Sequence, residues 1–194
     1  IASPSSGSGK TTVSIGLMGA FRKKRLKVQS FKVGPDYIDP AYHSITLDVP
    51  SRNLDTWLFS PAAVLEIFEK AVTNMDIAVI EGVMGMYDGF SGLDNTGSTA
   101  QISRLLKSPI ILVVDVSRMA RSAAAVVLGF KNFDRNINLG GVVLNNVGSE
   151  KHAKLVEESI KRCTGVPVVG VIHRWPEAYM PQRHLGLVPI HERQ

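Results

Sequence analysis

One stretch near the start of the chain, Ser5-Ser6-Gly7-Ser8-Gly9-Lys10-Thr11-Thr12, constrains the fold more than any other. Its glycines let backbone N–H groups wrap an anion. Lys10 then opens a run to Arg25 in which Val13, Leu17, Ala20 and Phe21 fall on one face at helical spacing. A helix behind such a loop offers phosphates its free N–H groups and the positive end of its dipole. On this reading Ser6, Gly7, Ser8, Gly9 and Thr12 line the cradle, Lys10 reaches the terminal phosphates of ATP, and the Thr11 hydroxyl holds Mg²⁺. The competing reading is a chance glycine turn. Pro4 stands where the usual pattern has its first glycine, and only Ile1 and Ala2 are present of the strand expected to brace the loop.

Beyond the loop, strand and helix signals alternate. Strands are predicted at Val28–Val33, Ile77–Ile80, Ile110–Val116, Gly141–Leu144 and Val166–Ile172, with a short edge strand at Leu185–Pro189. Ser60-Pro61 starts a helix running to about Val72, Ser98 caps one ending near Lys107, and an Ala-rich helix covers Met119–Lys131. Ser149 opens the last helix, which carries the pairs Glu150/Lys154, Glu157/Lys161 and Glu158/Arg162. Its inner face reads Ala153, Val156, Ile160 and Cys163, so Cys163 is expected in the core. The alternation predicts one α/β domain over residues 1–194, a mostly parallel sheet with helices on both faces. Ligands in such sheets sit at the carboxyl ends of the strands.

The chemistry should therefore lie in the loops after the strands. Lys32-Val33-Gly34-Pro35-Asp36-Tyr37-Ile38-Asp39-Pro40 follows the second strand, with His43 close behind. Lys32 could neutralise a transferring phosphoryl group, and Asp36 and Asp39 could hold Mg²⁺ or orient a nucleophile. A solubilising turn is the bland alternative. Asp55 reads equally as a supporting carboxylate or a turn cap. Glu81 ends the third strand, where phosphate-loop NTPases place their Mg²⁺ carboxylate. Asp88 follows in the Gly-rich segment Gly82–Gly89 and reads as substrate-side. The polar run Asp94–Thr99 is either a second anion site or a plain helix cap. Asp115 is a supporting carboxylate or only a strand end. Asn145, ending the fifth strand, has a side-chain amide able to donate to and accept from a base edge.

Other classes are excluded or disfavoured. A single cysteine rules out a disulfide framework and a thiolate zinc site. The longest apolar run, Pro109–Val114, is far short of the ~20 residues a membrane helix needs. No signal-peptide pattern opens the chain, so a cytoplasmic setting and no membrane partner are expected. The net charge of +5 suits anionic ligands weakly. The basic run Arg22–Arg25 reads as a helix end facing its dipole, and no nucleic-acid partner is expected.

Taken in order, Gly-Ser-Gly-Lys-Thr-Thr, Lys-Val-Gly-Pro-Asp-Tyr-Ile-Asp-Pro, Asn-Leu-Asp-Thr-Trp, Glu-Gly-Val-Met-Gly-Met-Tyr-Asp-Gly, Leu-Asn-Asn-Val and Arg-His-Leu-Gly-Leu-Val-Pro resemble the cobyrinic acid a,c-diamide synthase family. Dethiobiotin synthetase is the broader relative. The resemblance implies a dethiobiotin synthetase-like P-loop fold and an ATP-dependent amidoligase. The a and c acetates of a tetrapyrrole would be phosphorylated and then attacked by ammonia. It carries ATP and Mg²⁺ across to Lys10, Thr11 and Glu81, and substrate-side catalysis to Asp36, Tyr37 and Asp88. It also suggests a homodimer. The family's C-terminal glutaminase domain needs a nucleophilic cysteine with a histidine and a glutamate, and Cys163 lies inside the amidoligase part. An isolated synthetase domain is therefore expected, with ammonia from a separate glutaminase domain or subunit. The alternatives are a small-substrate ligase of the dethiobiotin type, a regulatory or partitioning ATPase, and a non-catalytic nucleotide module.

Overall fold

A computed structural model describes residues 1–175 and the strand pair 182–183 and 186–187. Along the chain run α1 (Lys10–Lys23), β1 (Val28–Val33), α2 (Ile38–Leu47), β2 (Arg52–Leu54), α3 (Pro61–Val72), β3 (Ile77–Glu81) and α4 (Thr99–Leu106). Then follow β4 (Ile110–Asp115), α5 (Ser122–Phe133), β5 (Leu139–Val147), α6 (Glu150–Thr164), β6 (Val168–His173), β7 (Gln182–Arg183) and β8 (Gly186–Leu187).

Two parallel three-stranded sheets, β2-β1-β3 and β4-β5-β6, are joined by the first two residues. The Ile1 amino group donates to Ile80 O at 2.7 Å, and Gly82 N donates to Ile1 O at 2.8 Å. On the other side Ala2 N donates to Ile111 O at 2.9 Å and Val113 N to Ala2 O at 2.8 Å. The short segment expected to brace the phosphate loop poorly is thus hydrogen-bonded on both edges, and Ala2 is fully buried. Below it, β3 and β4 part around an apolar cleft of about 730 Å³ lined by Ile1, Val13, Leu17, Val79, Ile80 and Ile111, with Thr12 at its wall.

Helices cover both faces. Met18, Val28, Leu47 and Val79 pack α1 and α2 on one side. On the other, Phe31, Val33, Leu54, Val64 and Ile102 seat α3 and α4, and Leu112, Leu144, Val127, Val156 and Ile160 seat α5 and α6. Ser60 and Ser98 cap α3 and α4 as the sequence predicts, accepting from Ala63 N and Gln101 N.

Four expectations need correction. Segment 38–47 is a helix rather than a loop. Pro40 falls in its first turn, where the missing N–H would have had no helical partner. Cys163 is exposed, and Thr164 takes the inward position after Ile160. At 3.6 residues per turn, the fourth residue after Ile160 stays nearer the buried stripe than the third. Of the predicted charge pairs on α6, Glu158–Arg162 forms at 2.7 Å, while Glu150 turns to His173 at 2.9 Å. Gly186–Leu187 pairs antiparallel with Gln182–Arg183 rather than edging the main sheet. The remainder of the predicted strand at 185–189 lies outside the described residues.

Candidate active site

The phosphate loop runs from Pro4 to Gly9 between the joining segment and α1. Ser3 Oγ donates to Ser5 O at 2.6 Å and Ser8 Oγ to the same carbonyl at 3.0 Å, which closes the loop on itself. Gly9 sits at φ 93°, and a Cβ there would lie 2.2 Å from Asn145 Nδ2. That amide donates to Ser8 O at 3.0 Å. Asn145, predicted to read a base, is thus placed on the loop itself, with its nitrogen committed to the Ser8 carbonyl. Gly9→Ala combines a left-handed backbone with this overlap, and nucleotide affinity is expected to fall at least about tenfold, checked by calorimetry with ADP.

Lys10 folds inward. Its Nζ donates to Ser3 Oγ at 2.9 Å and Met84 O at 2.6 Å, and the residue is buried. Burial, helped by the charge of Lys32, pushes the ammonium down from 10.5 to about 8. A bound phosphate would restore its preference for the charged form. Nucleotide binding is therefore expected to take up a proton at pH 8.5–9, between the shifted and ordinary values. The uptake should fade toward pH 7, where Lys10 is already charged. Binding enthalpies measured in buffers of different ionisation enthalpy check this.

Beside the loop, four side chains form a buried ionic cluster. Lys32 Nζ lies 2.6 Å from Asp39 Oδ2, 3.1 Å from Glu81 Oε1 and 3.0 Å from Gly82 O. Glu81 Oε2 shares a 2.6 Å hydrogen bond with His43 Nε2, and Glu81 Oε1 accepts from the Thr11 hydroxyl at 2.5 Å. Lys32 and Glu81 face each other across the β1–β3 register, while Asp39 and His43 stand one turn apart on α2. Burial alone would raise Glu81, but His43, Lys32 and Thr11 carry it down to about 2. Asp39 goes the other way: burial and the Glu81 charge hold it near 6 despite Lys32. Lys32 is held above its ordinary range because Glu81 and Asp39 outweigh burial.

Asp36 lies at the rim of this cluster. Its Oδ2 is 4.0 Å from Lys32 Nζ, while Oδ1 accepts from Ile38 N at 2.8 Å and Asp39 N at 3.3 Å, fixing the start of α2. Asn53 braces the same turn, donating to Gly34 O at 2.7 Å and Asp36 O at 2.6 Å. Tyr37 is exposed at the N-terminus of α2. Asp88 accepts from Gly85 N at 2.9 Å and closes the turn after β3. A Cβ at Gly85 would strike Asp88 Oδ2 at 2.4 Å and Pro4 O at 2.7 Å, so this turn lies directly against the phosphate loop.

Other candidates make local hydrogen bonds that brace turns and helix starts. Asp55 Oδ1 accepts from Trp57 N at 2.7 Å and Leu58 N at 3.1 Å, a turn cap, while its Oδ2 is buried without a partner among the described residues. Ser98 acts as the helix cap of Asp94–Thr99 and also donates to Asn95 O at 2.7 Å. Asp115 accepts from Ser117 N and Asn146 Nδ2, each at 2.8 Å, and finishes a strand end. His43, a weak signal in the sequence, is the site residue that reading undervalued. The i, i+4 spacing from Asp39 becomes informative only once 38–47 is helical.

The donor set suits Mg²⁺. Thr11 and Glu81 bring a hydroxyl and a carboxylate oxygen together beside the phosphate loop, and hard divalent cations take oxygen ligands. Among the described residues no group of three or more His, Cys, Asp or Glu side chains could enclose a metal. An ion held here would complete its shell from phosphate oxygens and water, the usual arrangement for Mg²⁺.

The fold is shared with solved structures of low sequence identity. Chloroplast FtsY from Physcomitrella patens matches with a TM-score of 0.59 at 19% identity, covering 85% of this chain and 55% of that one. A nucleotide-binding protein from Archaeoglobus fulgidus, solved with ADP, matches with a TM-score of 0.57 at 12% identity, covering 92% and 82%. The family profile described as the CobQ/CobB/MinD/ParA nucleotide binding domain matches residues 1–187. The chain belongs to this family. Among its relatives, the cobyrinate a,c-diamide synthase of Picrophilus torridus is 52% identical over 187 residues, covering 96% of this chain and 42% of that protein. The hydrogenobyrinate a,c-diamide synthase of Streptomyces coelicolor is 50% identical over 193 residues, covering 100% and 40%. The chain thus spans well under half the length of either relative.

Proposed function

We propose that this chain is the ATP-dependent amidoligase domain of a corrin a,c-diamide synthase. The observation that carries the reading is the buried Lys32–Glu81–Asp39 cluster at the strand ends beside the phosphate loop, in a chain about half identical to synthases of that name. A carboxylate is a poor electrophile, and phosphorylation supplies the leaving group it lacks. A substrate carboxylate oxygen attacks the γ-phosphorus of ATP, the bond to the bridging oxygen breaks, and ADP departs. The nitrogen of ammonia then adds to the acyl carbon, the carbon–oxygen bond to phosphate breaks, and loss of a proton leaves the amide. The sequence runs once for each acetate.

In this reading the protein positions the reactants and balances charge. The loop N–H groups and Lys10 hold the phosphates, and Asn145 braces the loop through Ser8. Thr11 and Glu81 would hold Mg²⁺, which supplies charge neutralisation on the phosphates. Lys32, fixed by Asp39 and Glu81, lends positive charge where phosphoryl oxygens meet a carboxylate. Asp36, Tyr37 and Asp88 border the substrate. Ammonia comes from a glutaminase outside this chain, in a cytoplasmic enzyme. Among the described residues no helix is long and apolar enough to cross a membrane.

The test supplies this chain with Mg·ATP, ammonium chloride and a panel of tetrapyrrole polycarboxylates, read by product mass. Free ammonia bypasses the glutaminase. Addition of one amide and then two, each matched by one ADP, is the expected result. Tight ATP binding without amidation of any macrocycle contradicts it.

A further inference from the structure

Four large apolar side chains on the segments that follow β1, β2 and β3 are exposed. Tyr37 is 75% exposed, Trp57 57%, Phe90 67% and Leu93 97%. An exposed apolar patch on a soluble domain marks a binding surface when it is contiguous. Here two of these side chains, from separate loops, meet. The rings of Trp57 and Phe90 stack at a centroid distance of 4.0 Å and an interplanar angle of 20°.

Both rings stand on braced backbone next to the site. Trp57 lies two residues past Asp55, whose carboxylate accepts from the Trp57 N–H. Phe90 lies two residues past Asp88 and donates its N–H to Thr96 O at 2.8 Å. Gln101 ties the two loops together, its Oε1 accepting from the Thr56 hydroxyl and from Gly97 N. Such bracing limits the freedom a ligand would otherwise have to remove on binding.

We infer that the stacked Trp57–Phe90 pair is the platform on which the flat face of the tetrapyrrole macrocycle rests while its acetate arms reach the phosphate loop. The inference rests on the amidoligase reading and adds the residues that select a large planar substrate. A small aliphatic carboxylate has no use for two stacked rings. A macrocycle can lay its face against the open side of the stack, one ring making the contact and the other backing it, and its carboxylates lie at its edge, where Asp36, Tyr37 and Asp88 border the site.

The experiment uses Trp57→Ala, Phe90→Ala and the conservative Trp57→Phe, with cobyrinic acid as the probe. The KM for the macrocycle is expected to rise about tenfold or more for each alanine variant. Trp57→Phe should restore most of the loss, and the KM for ATP should stay put. A second readout needs no turnover. In a Trp175→Phe background the remaining tryptophan is Trp57, and bound macrocycle should quench its emission. Amidation by wild type with an unchanged macrocycle KM in both alanine variants overturns the platform alone. Quenching without amidation overturns the amidoligase reading and leaves the platform standing. Neither quenching nor amidation overturns both.

Discussion

Glu81→Gln is expected to lower ATP-dependent amidation by at least about a thousandfold, at the upper end of what one electrostatic group supplies. The change keeps the size of the side chain and removes one charge. His43, Lys32 and Thr11 all bond to this carboxylate, and the oxygen that suits Mg²⁺ becomes an amide. Stability also falls, because Lys32 loses a carboxylate at 3.1 Å and keeps Asp39 at 2.6 Å and the more distant Asp36 at 4.0 Å. Removing one partner of a buried ion pair costs about 3–5 kcal/mol, and the surviving Asp39 contact places this variant near the lower figure. The pH dependence separates the two carboxylates. Glu81 is depressed from 4.5 to about 2, so its contribution is full above 4.5 and is lost as pH falls toward 2. The stability gap between wild type and Glu81→Gln should therefore close over that window. Urea unfolding followed from pH 7 to pH 2.5 checks it.

Lys32→Met is expected to be the most destabilising change in the cluster. It leaves Asp39 and Glu81 buried together without the cation between them. The loss is about 3–5 kcal/mol near neutral pH. Part of it should return on acidification. Asp39 is already raised from 3.8 to about 6, so its ionised form costs stability above 6 and the cost is relieved as pH falls toward 4. Without Lys32 the pKa of Asp39 rises further, and the relief begins at higher pH. A variant whose stability falls steadily from pH 7 to pH 5 would contradict this arrangement. Activity should be lost as well, and Lys32→Arg should recover little of it, because three close acceptors fit a compact ammonium better than a planar fork.

The phosphate loop and the strand that ends in Glu81 were legible in the sequence because their signals are local. Glycine spacing, a helix start and a short apolar run ending in a carboxylate need no knowledge of distant partners. The α/β class was legible from alternation, and the helix caps at Ser60 and Ser98 from residue type. What was lost depends on three-dimensional neighbours. Helix α2 hid behind Pro40 and two aspartates, all turn-forming residues, so the face shared by Asp39 and His43 could not be recognised. Glu81 meets His43 across 38 residues of sequence, and nothing local announces that bond. Cys163 was assigned inward on a helix phase that its neighbour Thr164 wins. Glu150 found a partner on β6 instead of on its own helix. Ile1 and Ala2 were read as part of the strand before the loop, but their hydrogen bonds to β3 and β4 on both edges depend on distant neighbours and were not foreseen.

The most direct test of the central claim follows oxygen. Substrate carboxylates labelled with ¹⁸O are incubated with this chain, Mg·ATP and ammonium chloride, and the released inorganic phosphate is examined by mass. If the carboxylate is phosphorylated before ammonia attacks, one labelled oxygen passes to phosphate for each amide formed. Amide formation with unlabelled phosphate, or ATP hydrolysis that proceeds equally without the macrocycle, would contradict an acyl phosphate and with it the roles assigned to Lys10, Lys32 and Glu81.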